Sequence, residues 1–248
     1  MWAAFNAAGG VRHHWHAVRY RDSLWRPYLP QVAEVLRAWA PSEPRLVLVG
    51  PSAGWLLPED FLLPFEQVVA IEPDPVARWL LRRRFPQVRW QMCTDDYFTP
   101  AGPLPWRENT ARLFADFPDQ ALLFTHFLGQ LIGLYPDAVA IERNGELAES
   151  PLFRRWKADL RQHLAERSWA SLHDRLSSPS PPQGLPRAWS DEPEVTSLRR
   201  QLWPSEAVCF DHLTGDLAEG SRTWLHWRRN PQMSHVIEVI SRRRSSTQ

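Results

Sequence analysis

Two groups of residues have the types and spacing from which chemistry could be built. The first is the turn Gly50-Pro51-Ser52-Ala53-Gly54, followed by Glu72 at the end of a second apolar run. Glycines let a chain bend sharply and let a ligand come close to the backbone. An acid closing the next strand, about twenty residues on, is where open α/β sheets bind the hydroxyl pair of a ribose. The second group is titratable: Asp95 and Asp96 after a third apolar run, His126 after a fourth, and His173 with Asp174 after a fifth. A histidine oriented by an adjacent acid can act as a general base or hold a substrate amine or hydroxyl.

The elements that must position these residues are legible around them. Residues 46–49 and 68–71 are short apolar, β-branched runs bounded by turn formers, the pattern of strands buried on both faces of a parallel sheet. Residues 55–65 have room for a crossover helix of about three turns, shortened by Pro58 and Pro64; Ser52 would then be its cap. Asp74-Pro75 opens a further helix, with the acid at the cap, and Arg82, Arg83 and Arg84 suit its C-terminal end. Strands are expected at residues 88–93, 121–126 and 169–172, with helices at 106–117, 152–166 and 192–202. Residues 131–150 read as loop, and the Pro- and Ser-rich residues 177–189 as a mobile lid beside the site. The last two strands, 207–213 and 235–240, have no helix between them and so should be antiparallel.

Upstream, residues 31–39 place Val32, Val35, Leu36 and Trp39 on one helical face. Residues 12–20 hold His13, His14 and His16; His13 and His16 would share a helical face, which permits a metal, although no paired carboxylate or cysteine stands near. No metal is therefore assigned.

Composition narrows the classes. A chain of 248 residues, 44% hydrophobic, can bury one substantial core, and 14 Trp with 23 Pro suggest aromatic cavity walls and anchored loops. A formal charge of +1 gives no global pull toward nucleic acid. Lys157 is the single lysine, which excludes a Schiff-base or Walker-type site elsewhere. Cys93 and Cys209 lack C-x-x-C spacing, the first residues lack signal-peptide features, and no apolar run approaches about eighteen residues. A cytoplasmic protein without a membrane partner is expected.

Ser52 stands where the dinucleotide fingerprint G-x-G-x-x-G needs a second glycine, which disfavours NAD or FAD. The order of strand, loose glycine turn and strand-closing acid, with an antiparallel ending, resembles the class I S-adenosylmethionine-dependent methyltransferases over roughly residues 45–241. The resemblance implies a doubly wound α/β fold with a mostly parallel seven-stranded sheet and an antiparallel last strand. Residues 1–44 would pack on this core and reach over the pocket, and 242–248 would be a disordered basic tail. It implies S-adenosylmethionine as cofactor, with Gly50, Ser52 and Gly54 at its methionine end, Glu72 at the ribose with Asp74 beside it, and Asp95 or Asp96 at the adenine. His126, on the pocket floor, and the pair His173 and Asp174 would be the catalytic candidates. The Asn/Asp-Pro-Pro-Tyr motif of base- and amino-methylating enzymes is missing at Thr125-His126-Phe127-Leu128-Gly129. A small-molecule or carboxylate acceptor follows, rather than nucleic acid; the pattern assigns no oligomeric state. Two rivals stand beside this reading. One is an α/β-hydrolase with Ser52 as the nucleophile of a G-x-S-x-G elbow. The other is a non-catalytic methyltransferase-like binding or scaffold protein, suggested by the substituted turn.

Overall fold

A computed structural model describes residues 10–100, 106–143, 146–187, 195–204 and 209–244. In chain order the elements are α1 (Gly10–Tyr20), α2 (Leu29–Trp39), β1 (Arg45–Val49), α3 (Glu59–Leu62), β2 (Gln67–Ile71), α4 (Pro75–Arg84), β3 (Trp90–Cys93), α5 (Trp106–Asp116) and β4 (Ala121–Thr125). A 3-10 turn (Leu128–Gln130) leads to α6 (Leu131–Leu134), α7 (Pro136–Val139), β5 (Ala140–Arg143), β6 (Glu146–Glu149) and α8 (Pro151–Leu164). The chain continues through β7 (Trp169–Ser178), α9 (Val195–Leu202), β8 (Phe210–Asp211), β9 (Ser221–Asn230) and β10 (Met233–Arg242).

The apolar runs flanking the glycine turn become neighbours, β1 pairing β2 in parallel with Val49 opposite Ile71. The main sheet runs β3-β2-β1-β4-β7-β10-β9, with β8 added beside β7. β3, β2, β1, β4 and β7 are parallel, whereas β10 is antiparallel to both of its neighbours. Period-two alternation sends Leu46, Leu48, Val68 and Ala70 to one face, where α2, α3 and α4 cover them with Val32, Leu36, Phe61 and Leu81. Val47, Val49, Val69 and Phe124 pack on the other face against Trp106, Phe114, Phe153 and Trp156 of α5 and α8. Each fully buried Val, Leu or Phe among them contributes about 1.5–3 kcal/mol relative to exposure. Caps fix the helix starts: Asp74 Oδ1 accepts the Val76 N–H at 2.8 Å, and Ser150 Oγ accepts the Phe153 N–H at 3.0 Å.

Several expectations need correcting. The helix of residues 55–65 shrinks to the single turn α3, because Pro58 and Pro64 bound it, and Ser52 caps no helix. Residues 131–150 hold α6, α7 and the β5–β6 hairpin, each element too short to show a periodic pattern. β7 continues past residue 172 because β10 and β8 supply partners as far as Ser178. The described part of residues 207–213 yields only β8, and the strand before the last is β9, whose hairpin with β10 supplies its register. Residues 188–189 of the expected lid, 192–194 of the expected helix, 207–208 of the expected strand and 245–248 of the tail lie outside the described residues, whereas Arg242, expected in a disordered tail, ends β10.

Candidate functional site

The glycine turn is held in left-handed backbone, with φ of +65° at Gly50, +51° at Ser52 and +65° at Gly54. Such angles suit glycine and strain a serine. At Gly54 packing demands glycine as well, since a Cβ would stand 2.6 Å from Phe85 Cε2 and 2.9 Å from Leu81 Cδ2. Glu72, one residue beyond β2, locks the turn from below. Its Oε2 accepts the Ser52 N–H at 2.8 Å and its Oε1 the Asp74 N–H at 3.0 Å. Burial pushes the Glu72 carboxyl up to about 7, against the pull of these two N–H groups toward the charged form.

A cavity of about 610 Å³ opens over the carboxyl ends of β1, β2 and β4, bordered by Gly50, Ser52, Glu72, Asp95, His126 and Asp174. Gly54 is not on its wall. Asp74 and Asp96 border it too, but both are committed. Asp74 caps α4 and lies 3.3 Å from His14 Nε2, while His14 Nδ1 accepts from Trp55 Nε1. Asp96 folds back on its own chain, accepting the N–H groups of Phe98 and Thr99 and the Thr99 hydroxyl. Asp95 is exposed, and among the described residues its side chain has a long 3.5 Å contact from the Tyr97 hydroxyl. The described part of the Pro- and Ser-rich stretch contributes nothing to the wall; α1 does so instead, through Gly10 and His13.

His126 sits in left-handed backbone, φ +58°, pinned by its N–H to the Leu172 carbonyl at 2.6 Å. Its Nδ1 lies 3.1 Å from Asp174 Oδ1 and its Nε2 lies 3.0 Å from the Tyr28 hydroxyl. Burial resists charge on Asp174, but the imidazoles of His235 and His126 outweigh it and hold the carboxyl well below the usual range. Burial and the neighbouring Asp174 carboxylate push the Tyr28 phenol well above its ordinary value. An ionised Asp174 is placed to take an Nδ1–H, and the high-pKa phenol of Tyr28 is placed to donate to Nε2, so the two partners set the orientation of the His126 ring.

The expectation that Asp174 orients His173 fails. Neighbours on a strand face opposite sides, and His173 is fully buried on the other face. There its Nδ1 meets Ser171 Oγ at 2.9 Å and its Nε2 meets Glu238 Oε2 at 3.2 Å. His173 lies off the cavity wall. Asp174 Oδ2 instead approaches His235 Nδ1 at 3.7 Å. Among the described residues, Asp174, His212 and His235 are the grouping that brings three potential metal-ligand atoms within 4.8 Å of one another. A hydrogen-bond chain already runs through this group. Ser177 Oγ touches His235 Nδ1 at 2.7 Å and His212 Nε2 at 2.5 Å, and His212 Nδ1 donates to the Gly129 carbonyl at 2.7 Å. A metal would have to displace the Ser177 hydroxyl. His13 and His16 are buried on α1, and His13 packs on Trp25 with ring centroids 5.7 Å apart.

The nucleophile elbow is also overturned. Among the described residues no histidine hydrogen-bonds Ser52, and the helix that should follow an elbow at once does not begin until Glu59. Tyr28, Trp227 and Arg229 are site residues that sequence reasoning missed. Tyr28 stands 98 residues from its partner His126, and β9, which carries the other two, lies between the strands expected at 207–213 and 235–240.

The strand order with its antiparallel β10, and the cavity over the parallel strand ends, define the class I methyltransferase fold. No protein-family model matches the sequence. No curated protein matches it either. Among solved structures, the chain is similar at 22% identity and a TM-score of 0.34 to CalS10, an amino pentose methyltransferase from Micromonospora echinaspora. That match covers 64% of this chain and 54% of the other, so the chain spans about half the length of that structure. Magnesium protoporphyrin IX methyltransferase from Synechocystis PCC 6803 gives 11% identity, coverage of 89% and 83%, and a TM-score of 0.41. The N-methyltransferase NodS from Bradyrhizobium japonicum WM9 gives 12%, 88% and 87%, and 0.43. At these scores the likeness adds nothing to the strand order, which carries the fold by itself.

Proposed function

We propose that the protein is an S-adenosylmethionine-dependent methyltransferase acting on a small-molecule acceptor. The observation that carries this reading is Glu72: a buried carboxylate at the end of β2, on the wall of a cavity it shares with the glycine turn. Each of its oxygens accepts one backbone N–H and keeps a further lone pair, which suits the two hydroxyls of a ribose. Gly50 and Ser52 would flank the methionine end, with Gly54 shaping the turn from behind. Asp95 would take the adenine amino group, since Asp96 is committed to its own turn. When bound, the cofactor supplies an electrophilic methyl group on a sulfonium.

The remaining work belongs to the chain. Methyl transfer requires alignment and a deprotonated nucleophile. His126, oriented by Asp174, would receive the acceptor's proton at Nε2 as the Tyr28 hydroxyl gives way, leaving an imidazolium facing a carboxylate. Trp227, with its ring centroid 4.9 Å from that of His126, would keep water from the base.

Differential scanning fluorimetry and calorimetry with S-adenosylmethionine and S-adenosylhomocysteine test the assignment. The expected result is a raised melting temperature and saturable binding of both. Binding of neither would favour a non-catalytic scaffold that keeps the fold without the cofactor.

A further inference from the structure

We infer that the acceptor carries a carboxylate or an equivalent oxyanion, and that Arg229 and Trp227 bind it. The inference rests on the methyltransferase reading for the word acceptor, but the anion site stands on separate observations. Arg229 and Trp227 both lie on β9 and both border the cavity; Arg229 is the extra residue where the β9–β10 register shifts. Each offers only donors. The Arg229 Nε and the Trp227 Nε1 are buried without a hydrogen-bond partner, and Arg229 makes no ion pair among the described residues. Asp174 is the acid whose field reaches Arg229, and its oxygens face His126 and His235. The Arg229 backbone is anchored, its carbonyl accepting the Trp25 indole N–H at 2.9 Å.

A donor left unmade inside a protein is unfavourable, and an unpaired guanidinium more so. Two residues that offer only donors and border one cavity are complementary to a group with acceptors only, and a carboxylate offers the guanidinium fork two parallel bonds. His13, packed between Trp25 and Trp227, is held neutral by burial and by Arg229, so it adds no positive charge there; the other cation near Arg229 is the exposed Arg12. The position assigns the anion to the acceptor: β9 is separated from β1 by β4, β7 and β10, and so lies far along the sheet from the Glu72 end. The Trp227 ring beside His126 places the bound group within reach of the base.

The test titrates the protein, with and without saturating S-adenosylhomocysteine, with benzoate and 2-naphthoate and with the matching amides as uncharged controls. Wild type, Arg229→Gln and Arg229→Met are compared by calorimetry. Carboxylates should bind at least tenfold tighter than amides. Both substitutions should remove that preference, leave the S-adenosylhomocysteine affinity within twofold, and melt no lower than wild type, because they remove an unpaired charge. Carboxylate binding that is absent, or unchanged in the Arg229 variants, overturns the inference. A tenfold loss of S-adenosylhomocysteine affinity in the variants also overturns it, by assigning the guanidinium to the cofactor's own carboxylate. Arg229-dependent carboxylate binding in a protein that ignores S-adenosylhomocysteine would uphold the anion site while removing the methyltransferase reading.

Discussion

The Glu72 carboxylate reaches back 20 residues to accept the Ser52 backbone N–H at 2.8 Å. One side chain thereby ties the end of β2 to the turn leaving β1, and the cavity begins where they meet. Glu72→Ala removes both this tie and the proposed ribose partner. Binding of S-adenosylmethionine should weaken by at least tenfold, about 1.4 kcal/mol. Calorimetry at pH 7.5 measures it, and an unchanged dissociation constant would place the cofactor elsewhere.

The same residue makes stability depend on pH. Burial raises the Glu72 carboxyl from 4.5 to about 7 in the folded chain, so between those values the folded state holds a proton that the unfolded state has lost. Stability of the ligand-free protein should therefore fall as pH rises through that window, by at most about 3 kcal/mol from this group. Urea midpoints at pH 5, 6, 7 and 8 should show the decline in wild type and a flatter profile in Glu72→Gln. Equal slopes in the two proteins would exclude Glu72 as the source.

Tyr28 supplies a hydroxyl to a buried imidazole, and Tyr28→Phe removes only that oxygen. His126 Nε2 would lose its partner, which should destabilise the fold by about 1–2 kcal/mol in chemical denaturation. Combining the change with His126→Ala isolates the pair, because in that background Tyr28→Phe removes no bond between the two. Additive effects would show that the two groups are not coupled.

The legible part of the molecule was local. The strands at residues 46–49 and 68–71, the glycine turn, Glu72 and the Asp74 cap all follow from backbone preference and spacing within some thirty positions. Strand alternation would also have warned against pairing His173 with Asp174, since a strand continuing through both must turn them to opposite faces. What alternation could not reveal is where Asp174 does point. His126 lies 48 residues away and Tyr28 a further 98 from His126, and they meet only because β7 closes on β4 and the segment before α2 folds over the sheet.

β9 shows the same division. Its residue types, Trp224, His226, Trp227 and several arginines, do not distinguish an edge strand from a polar connection, and pairing with β10 settles the matter. That pairing carries Trp227 and Arg229 to the cavity wall, where Arg229 finds no carboxylate among the described residues. The sequence by itself determined the strands at residues 46–49 and 68–71, the glycine turn between them and the acid that closes the second, because those depend on neighbours along the chain. The contacts of His126 with Asp174 and Tyr28 and the place of the Arg229 guanidinium were decided by tertiary structure, because charge and hydrogen-bond partners are chosen by proximity in space, which sheet closure sets.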